Sequence, residues 1–249
     1  MSEILTLSSV FVIGIVASTI GSMAGGGGGL LSIAFLLFIG LPPHIAIATD
    51  RFGSIGQAST CLFKFWKAQR IAWKYVALLS VLSLAGSLIG ANILLSLDPQ
   101  ILRYAIGVLL VVLLPVLFLK KDIGVQSKQM SSSKKSFGFV LYFLVQIVTG
   151  FFGGGTGVII LYILMIFFGM TIIEANATNT IPWFVLAASS LTIFAMNGII
   201  DYKIGTALLA GMAIGGYIGA HVALQKGDAW VKQLFALLVI AIAIKVLFF

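Results

Sequence analysis

Five consecutive glycines, Gly25 to Gly29, stand directly before the apolar run Leu30 to Ile39, and the pattern recurs as Gly153-Gly154-Gly155-Thr156-Gly157 before Val158. Each glycine within a helix costs about 1 kcal/mol relative to alanine, so both runs are predicted to break the helices that contain them. A helix restarting after such a break offers amides that no carbonyl has claimed, at the positive end of its dipole. That is an anion-binding arrangement. The residues nearest this chemistry are Gly27, Gly28 and Gly29 in the first run and Gly155, Thr156 and Gly157 in the second.

A polar cluster follows each break: Ala48-Thr49-Asp50-Arg51, then Ala177-Thr178-Asn179. Thr, Asp and Asn are good N-caps, so one reading is that each cluster opens a helix. The other is that Thr49, Asp50, Arg51, Thr178 and Asn179 line a substrate cavity, which two related clusters near glycine breaks favour. Ionisable groups inside a membrane segment are expensive and mark function. Arg51 would then hold an anion, and Asp50 would restrain that charge or carry a proton. Interfacial pairing or snorkelling is the alternative for both, and Glu174 divides the same way between coupling and interface. His44, after Pro42-Pro43, and His221 read as interfacial.

Composition sets what must position these residues. The chain has 249 residues, 60% of them apolar and 9% charged, with a mean hydropathy of +1.16. A water-soluble protein of this make-up lacks the polar residues to cover its surface. In lipid the backbone must satisfy itself, which leaves helices or a closed barrel. The ten-residue alternation of a barrel is absent, so the fold class is all-α, a polytopic membrane protein. The basic residues that give a net charge of +8 lie between apolar spans, where they mark the cytoplasmic side rather than a nucleic-acid partner. Cys61 is the single cysteine, so no internal disulfide forms. Glu3 and the lack of Lys or Arg before Ile4 point to a retained first helix rather than a cleaved signal.

The chain repeats itself. Shifted by 129 positions, Gly40 falls on Gly169, Ala48-Thr49-Asp50 on Ala177-Thr178-Asn179, Trp73 on Tyr202, Gly86 on Gly215, Gly90 on Gly219 and Arg103 on Lys232. Five segments, near 4–22, 30–39, 44–65, 73–96 and 100–119, recur after a polar linker. The expected organisation is a first membrane repeat over 1–119, a cytoplasmic linker over 120–135 and a second repeat over 136–249, acting as one transport unit. Lys64, Lys67, Arg70 and Lys74 crowd one loop whose counterpart holds only Lys203, whereas Lys226 enriches a loop whose counterpart is Leu97-Asp98-Pro99. Placing the basic loops and linker in the cytoplasm inverts the second repeat and puts both termini outside. The segment from Leu30 to Ile39 spans only ~15 Å, so broken or re-entrant helices leave about eight to ten membrane segments. Gly86, Gly90, Gly215 and Gly219 read as close-packing positions, and Trp73 and Tyr202 as interface anchors.

Taken with Gly40-Leu41-Pro42-Pro43 and Ala48-Thr49, the first glycine run resembles the sulfite exporter family, the TauE/SafE permeases, and Gly153 to Gly157 with Ala177-Thr178-Asn179 resembles it again. The likeness covers nearly the whole chain and implies a small sulfur-containing anion, of the sulfite, sulfonate or thiosulfate class, as cargo. It departs from the family's usual Ala-Thr-Asn at Asp50 and the following Arg51.

The functional expectation is a secondary transporter working by alternating access in a bacterial-type inner membrane, with an anion channel as the alternative. A membrane enzyme is disfavoured: two distant histidines accompany no GxSxG or HExxH motif. No cofactor and no metal are expected. The partners are a small anion and the bilayer, with self-association to a homo-oligomer left open.

Overall fold

A computed structural model describes residues 3–24, 28–98, 124–152 and 154–248, the last stretch by backbone alone from residue 235. Gly27, the fifth segment of the first half and the start of the linker lie outside these described residues. Every regular element among them is helical: α1 (Glu3–Ala24), α2 (Gly28–Phe38), α3 (Pro43–Lys67), α4 (Trp73–Ser96), α5 (Ser132–Phe151), α6 (Thr156–Phe168), α7 (Ile172–Met196) and α8 (Tyr202–Phe248). Gly227, with φ 81° and ψ 172°, interrupts α8.

Among the described residues, four stretches are long and apolar enough to cross a membrane: Ile4–Met23, Trp73–Ser96, Ile172–Met196 and Tyr202–Leu234. The 25-residue α3 matches them in length but carries Asp50, Arg51, Lys64 and Lys67. By contrast α2, with 11 residues, and α6, with 13, fall well short. At helical rise they reach about 16 and 20 Å, against a hydrocarbon layer of about 30 Å. Both start inside the glycine runs, at Gly28 and Thr156, two residues ahead of Leu30 and Val158, so the last glycines of each run are already helical.

Local chemistry sets the helix starts. Pro43 occupies the first turn of α3, where its missing N–H is harmless. Thr171 caps α7 by accepting from the Glu174 amide at 3.2 Å. Thr49-Asp50 and Thr178-Asn179 therefore stand about two turns inside α3 and α7 rather than opening them, which removes the capping reading. α5 begins at Ser132, so the end of the polar stretch read as linker is already helical.

The helices form two parallel-packed sets. Along α1 and α8, Cβ atoms placed on Gly211, Gly215 and Gly219 would meet the carbonyl oxygens of Phe11, Ile15 and Thr19 at 2.2, 2.3 and 2.3 Å, a register that rises together on both helices. α8 also runs alongside α3, from Gly53 against Leu208 to Thr60 against Gly216. In the other set α4 packs on α5, where a Cβ on Gly90 would meet the Ile147 carbonyl at 2.2 Å, and on α7. Each half's fourth helix is thus seated on the first and third helices of the other half. The packing role expected for Gly90, Gly215 and Gly219 follows directly from these contacts. Gly219→Ala should push α1 and α8 apart and lower stability by about 1–3 kcal/mol, read as a fall in the thermal unfolding midpoint in detergent.

α6 is buried along most of its length in a core that joins Phe65, Tyr142, Leu161, Leu164 and Ile172. α2 is less enclosed, with Phe38 85% exposed at its end. Protein therefore surrounds the second short helix, while the first borders the outside of the bundle.

Candidate functional site

Where the starts of α2 and α6 approach α3 and α7, the helices enclose a cavity of about 70 Å³. Roughly 10–15 Å³ of such space holds one water, so several waters or one small ion fit. Gly28 and Gly29 of α2 and Gly157 of α6 form its glycine walls. α3 contributes Asp50, Ser54, Gln57 and Cys61, α7 contributes Asn176, Asn179 and Trp183, and α1 adds Ser22. A shift of 129 residues pairs Asp50 with Asn179, and a shift of 128 pairs Gly29 with Gly157, so matched positions of the sequence meet in one space.

Hydrogen bonds set which atoms face that space. Gln146 Nε2 donates to Ser83 Oγ at 2.7 Å, Ser83 bonds the Tyr142 hydroxyl at 3.1 Å, and that hydroxyl donates to Asn179 Oδ1 at 2.7 Å. With Oδ1 engaged by Tyr142, the two N–H groups are the donors that Asn179, a cavity-lining residue, has left to give. Asn176 Nδ2 donates to the Ser22 carbonyl at 2.7 Å, and Gln57 Nε2 donates to Ser22 Oγ at 3.0 Å. Cys61 Sγ reaches Ser22 Oγ at 3.1 Å. Ser32 of α2 donates to Asp50 Oδ1.

Arg51 is 2% exposed and does not line the cavity. Its guanidinium donates to the Thr149 carbonyl at 2.6 Å and lies 5.2 Å from the ring centre of Trp183, whose indole is cavity wall. Thr149 belongs to the last turn of α5, just ahead of the second glycine run. The charge therefore tethers that break and sits behind the wall rather than on it.

Thr49 and Thr178 also lie off the cavity, fully buried. Thr49 Oγ1 accepts from the Asp201 amide at 3.1 Å, and Thr178 Oγ1 accepts from the Ala72 amide at 2.9 Å. Asp201 and Ala72 immediately precede α8 and α4, so each hydroxyl secures the start of the other repeat's fourth helix. Asp201 further caps α8 by accepting from the Ile204 amide at 2.9 Å.

Gly155 is the N-cap of α6 in a left-handed conformation, φ 77°, that glycine adopts without strain, and Thr156 is buried beside it. Glu174 sits apart from the cavity, in a recess with Lys74, Lys128 and Lys135. His44 Nε2 lies 3.1 Å from the carbonyl oxygens of Leu94 and Leu97, and His221 Nδ1 lies 3.4 Å from Lys64 Nζ. Of the residues expected to form the site, the structure brings Gly28, Gly29, Asp50, Gly157 and Asn179 together.

Ser22, Gln57, Asn176 and Trp183 were not anticipated from the sequence. A signal existed for some of them: Asp50, Ser54, Gln57 and Cys61 recur at helical spacing, a polar stripe down one face of an otherwise apolar helix.

The family model described as "Sulfite exporter TauE/SafE" matches residues 10–246. A "Probable membrane transporter protein" of Haemophilus influenzae is 27% identical over 232 residues, covering 93% of this chain and 91% of the relative. "Probable membrane transporter protein YfcA" of Escherichia coli K12 is 23% identical, with 98% and 90% covered. "Probable membrane transporter protein YdhB" of Bacillus subtilis is 26% identical, with 85% and 86% covered. No solved structure matches.

Proposed function

The chain belongs to the sulfite exporter TauE/SafE family, and on that premise we propose that it is a secondary transporter that carries a small sulfur-containing anion by alternating access. The observation that carries this reading is the cavity itself, shared between repeats and walled by the starts of both short helices. Helix N-terminal amides and the Asn179 N–H groups suit an anion, and the absence of side chains at Gly28, Gly29 and Gly157 lets backbone approach it. Sulfite, thiosulfate and short sulfonates have the size and charge for that space.

An inverted pair of repeats fits the packing. α1, α3 and α8 run in parallel, as do α4, α5 and α7, and the short turn between α3 and α4 reverses the chain. Lys64 Nζ lies 3.9 Å from the Tyr217 ring centre and close to His221, which brings the basic end of α3 beside the part of α8 that leads to Lys226. One membrane face for both basic loops agrees with the positive-inside rule.

Purified protein in liposomes should show saturable counterflow of labelled sulfite, thiosulfate or methanesulfonate. No flux of any of them would overturn the assignment, and flux without counterflow would favour a channel. In a variant lacking Cys61, single cysteines at Lys67 and Lys226 should label from the cytoplasmic side and one at Asp98 from outside. Labelling of Lys67 and Lys226 from opposite sides would sink the inversion.

A further inference from the structure

The space proposed to hold an anion also contains a carboxylate. Asp50 lies on its wall, where the matching position of the other repeat is the neutral Asn179. Two negative charges sharing about 70 Å³ repel each other.

The nearest positive charge, Arg51, stands behind the wall rather than on it. Among the described residues that line the cavity, those able to ionise are Asp50 and Cys61. The other helices contribute such groups as Ser22, Gly157, Asn176, Asn179 and Trp183, none of them ionisable. α2 faces Asp50 with Ser32, and α8 meets α3 through Leu208, Met212 and Gly216. Arg51, next along the chain, directs its guanidinium to the Thr149 carbonyl behind Trp183.

We infer that the protein is a proton symporter in which Asp50 binds the proton that travels with the anion. This rests on the transport function proposed for the cavity. A proton from the open side joins an Asp50 oxygen and makes it a neutral carboxyl. The anion then binds. On the opposite side the anion leaves, the O–H bond breaks, the proton departs and Asp50 returns as a carboxylate. One proton crosses with each anion, so a monovalent sulfonate moves without net charge and divalent thiosulfate moves with one net negative charge.

Protonation and anion binding favour each other, and that coupling is reciprocal. Ligands that help each other bind travel together, which makes the cycle symport rather than exchange. Ser32 serves both forms of Asp50, because its hydroxyl donates to a carboxylate and, rotated, accepts from a carboxyl. The two repeats then divide the work: Asn179 presents donors to the anion, and Asp50 takes the proton.

The test uses wild-type and Asp50→Asn protein in liposomes, with labelled methanesulfonate, whose charge does not change near neutral pH, and thiosulfate. An acid-outside gradient should make wild type accumulate anion above the external level, and a protonophore should abolish this. Asp50→Asn should lose gradient-driven accumulation by about tenfold or more, and the counterflow that remains should no longer vary with pH. Accumulation that survives in Asp50→Asn would overturn the inference. So would counterflow that keeps the pH dependence of wild type in a variant with wild-type gel filtration and thermal unfolding. A measurement on wild type alone decides the matter if the variant does not fold: external alkalinisation on adding sulfonate should report about one proton per anion, and transport without proton movement overturns the inference. Failure of the transport function would look different, as wild type without counterflow.

Discussion

Asn179→Leu is expected to cut anion counterflow by about 10- to 100-fold, because a hydrogen bond to a charged group contributes about 1.5–3 kcal/mol. Leucine keeps the branched outline of asparagine with bulkier methyl ends, so the donor pair disappears without opening a void. The Tyr142 hydroxyl loses Oδ1 as a partner but keeps Ser83 at 3.1 Å, which limits the damage to the fold. Tyr142→Phe makes a useful companion: it removes the group that orients Asn179 but leaves the amide in place, so its loss should be smaller. Initial counterflow rates, normalised to reconstituted protein, measure both. Wild-type counterflow in Asn179→Leu would remove this residue from the anion site.

Arg51→Ala is expected to destabilise the protein by about 3–5 kcal/mol, enough to prevent recovery of monodisperse material, because truncation opens a void and strands a buried carbonyl. The guanidinium is among the largest fully buried side chains and holds the end of α5 through Thr149. Its Nε has no hydrogen-bond partner, so the group is imperfectly satisfied where it sits. Arg51→Met separates volume from charge. The methionine variant should fold, with the unfolding midpoint well above that of Arg51→Ala, and should bind anion more weakly because a positive charge behind Trp183 is gone. An Arg51→Ala protein that unfolds at the wild-type temperature would show that the tether carries no stability.

The class of protein and the two short helices were legible because their causes are local. Apolar excess dictates lipid as solvent, and a glycine run breaks a helix wherever it falls. Asp50 and Asn179 could be picked out because a polar residue two turns into an apolar helix has few reasons to be there. Thr49 and Thr178 stood beside them with the same credentials, yet their hydroxyls secure Asp201 and Ala72. Adjacent positions on a helix point about 100° apart, so neighbours in a polar cluster serve different faces. Which face meets the cavity depends on tertiary packing that no short window contains. Ser22 and Asn176 illustrate the same limit, since their importance comes from bonding each other across helices that lie far apart in the chain.

The exchange of fourth helices between repeats has a consequence for how the chain is made. α1 leaves the ribosome first, but the glycine face that fits it, Gly211 to Gly219, emerges about two hundred residues later. α4 waits a shorter time, since Gly90 meets Ile147 soon after the linker has passed. Assembly in the bilayer should therefore begin with α4, α5 and α7 and finish when α8 slots between α1 and α3. Until then α1 and α3 lack the helix that packs along both, and a ribosome stalled before Tyr202 would leave a protein with one of its two sets unbuilt.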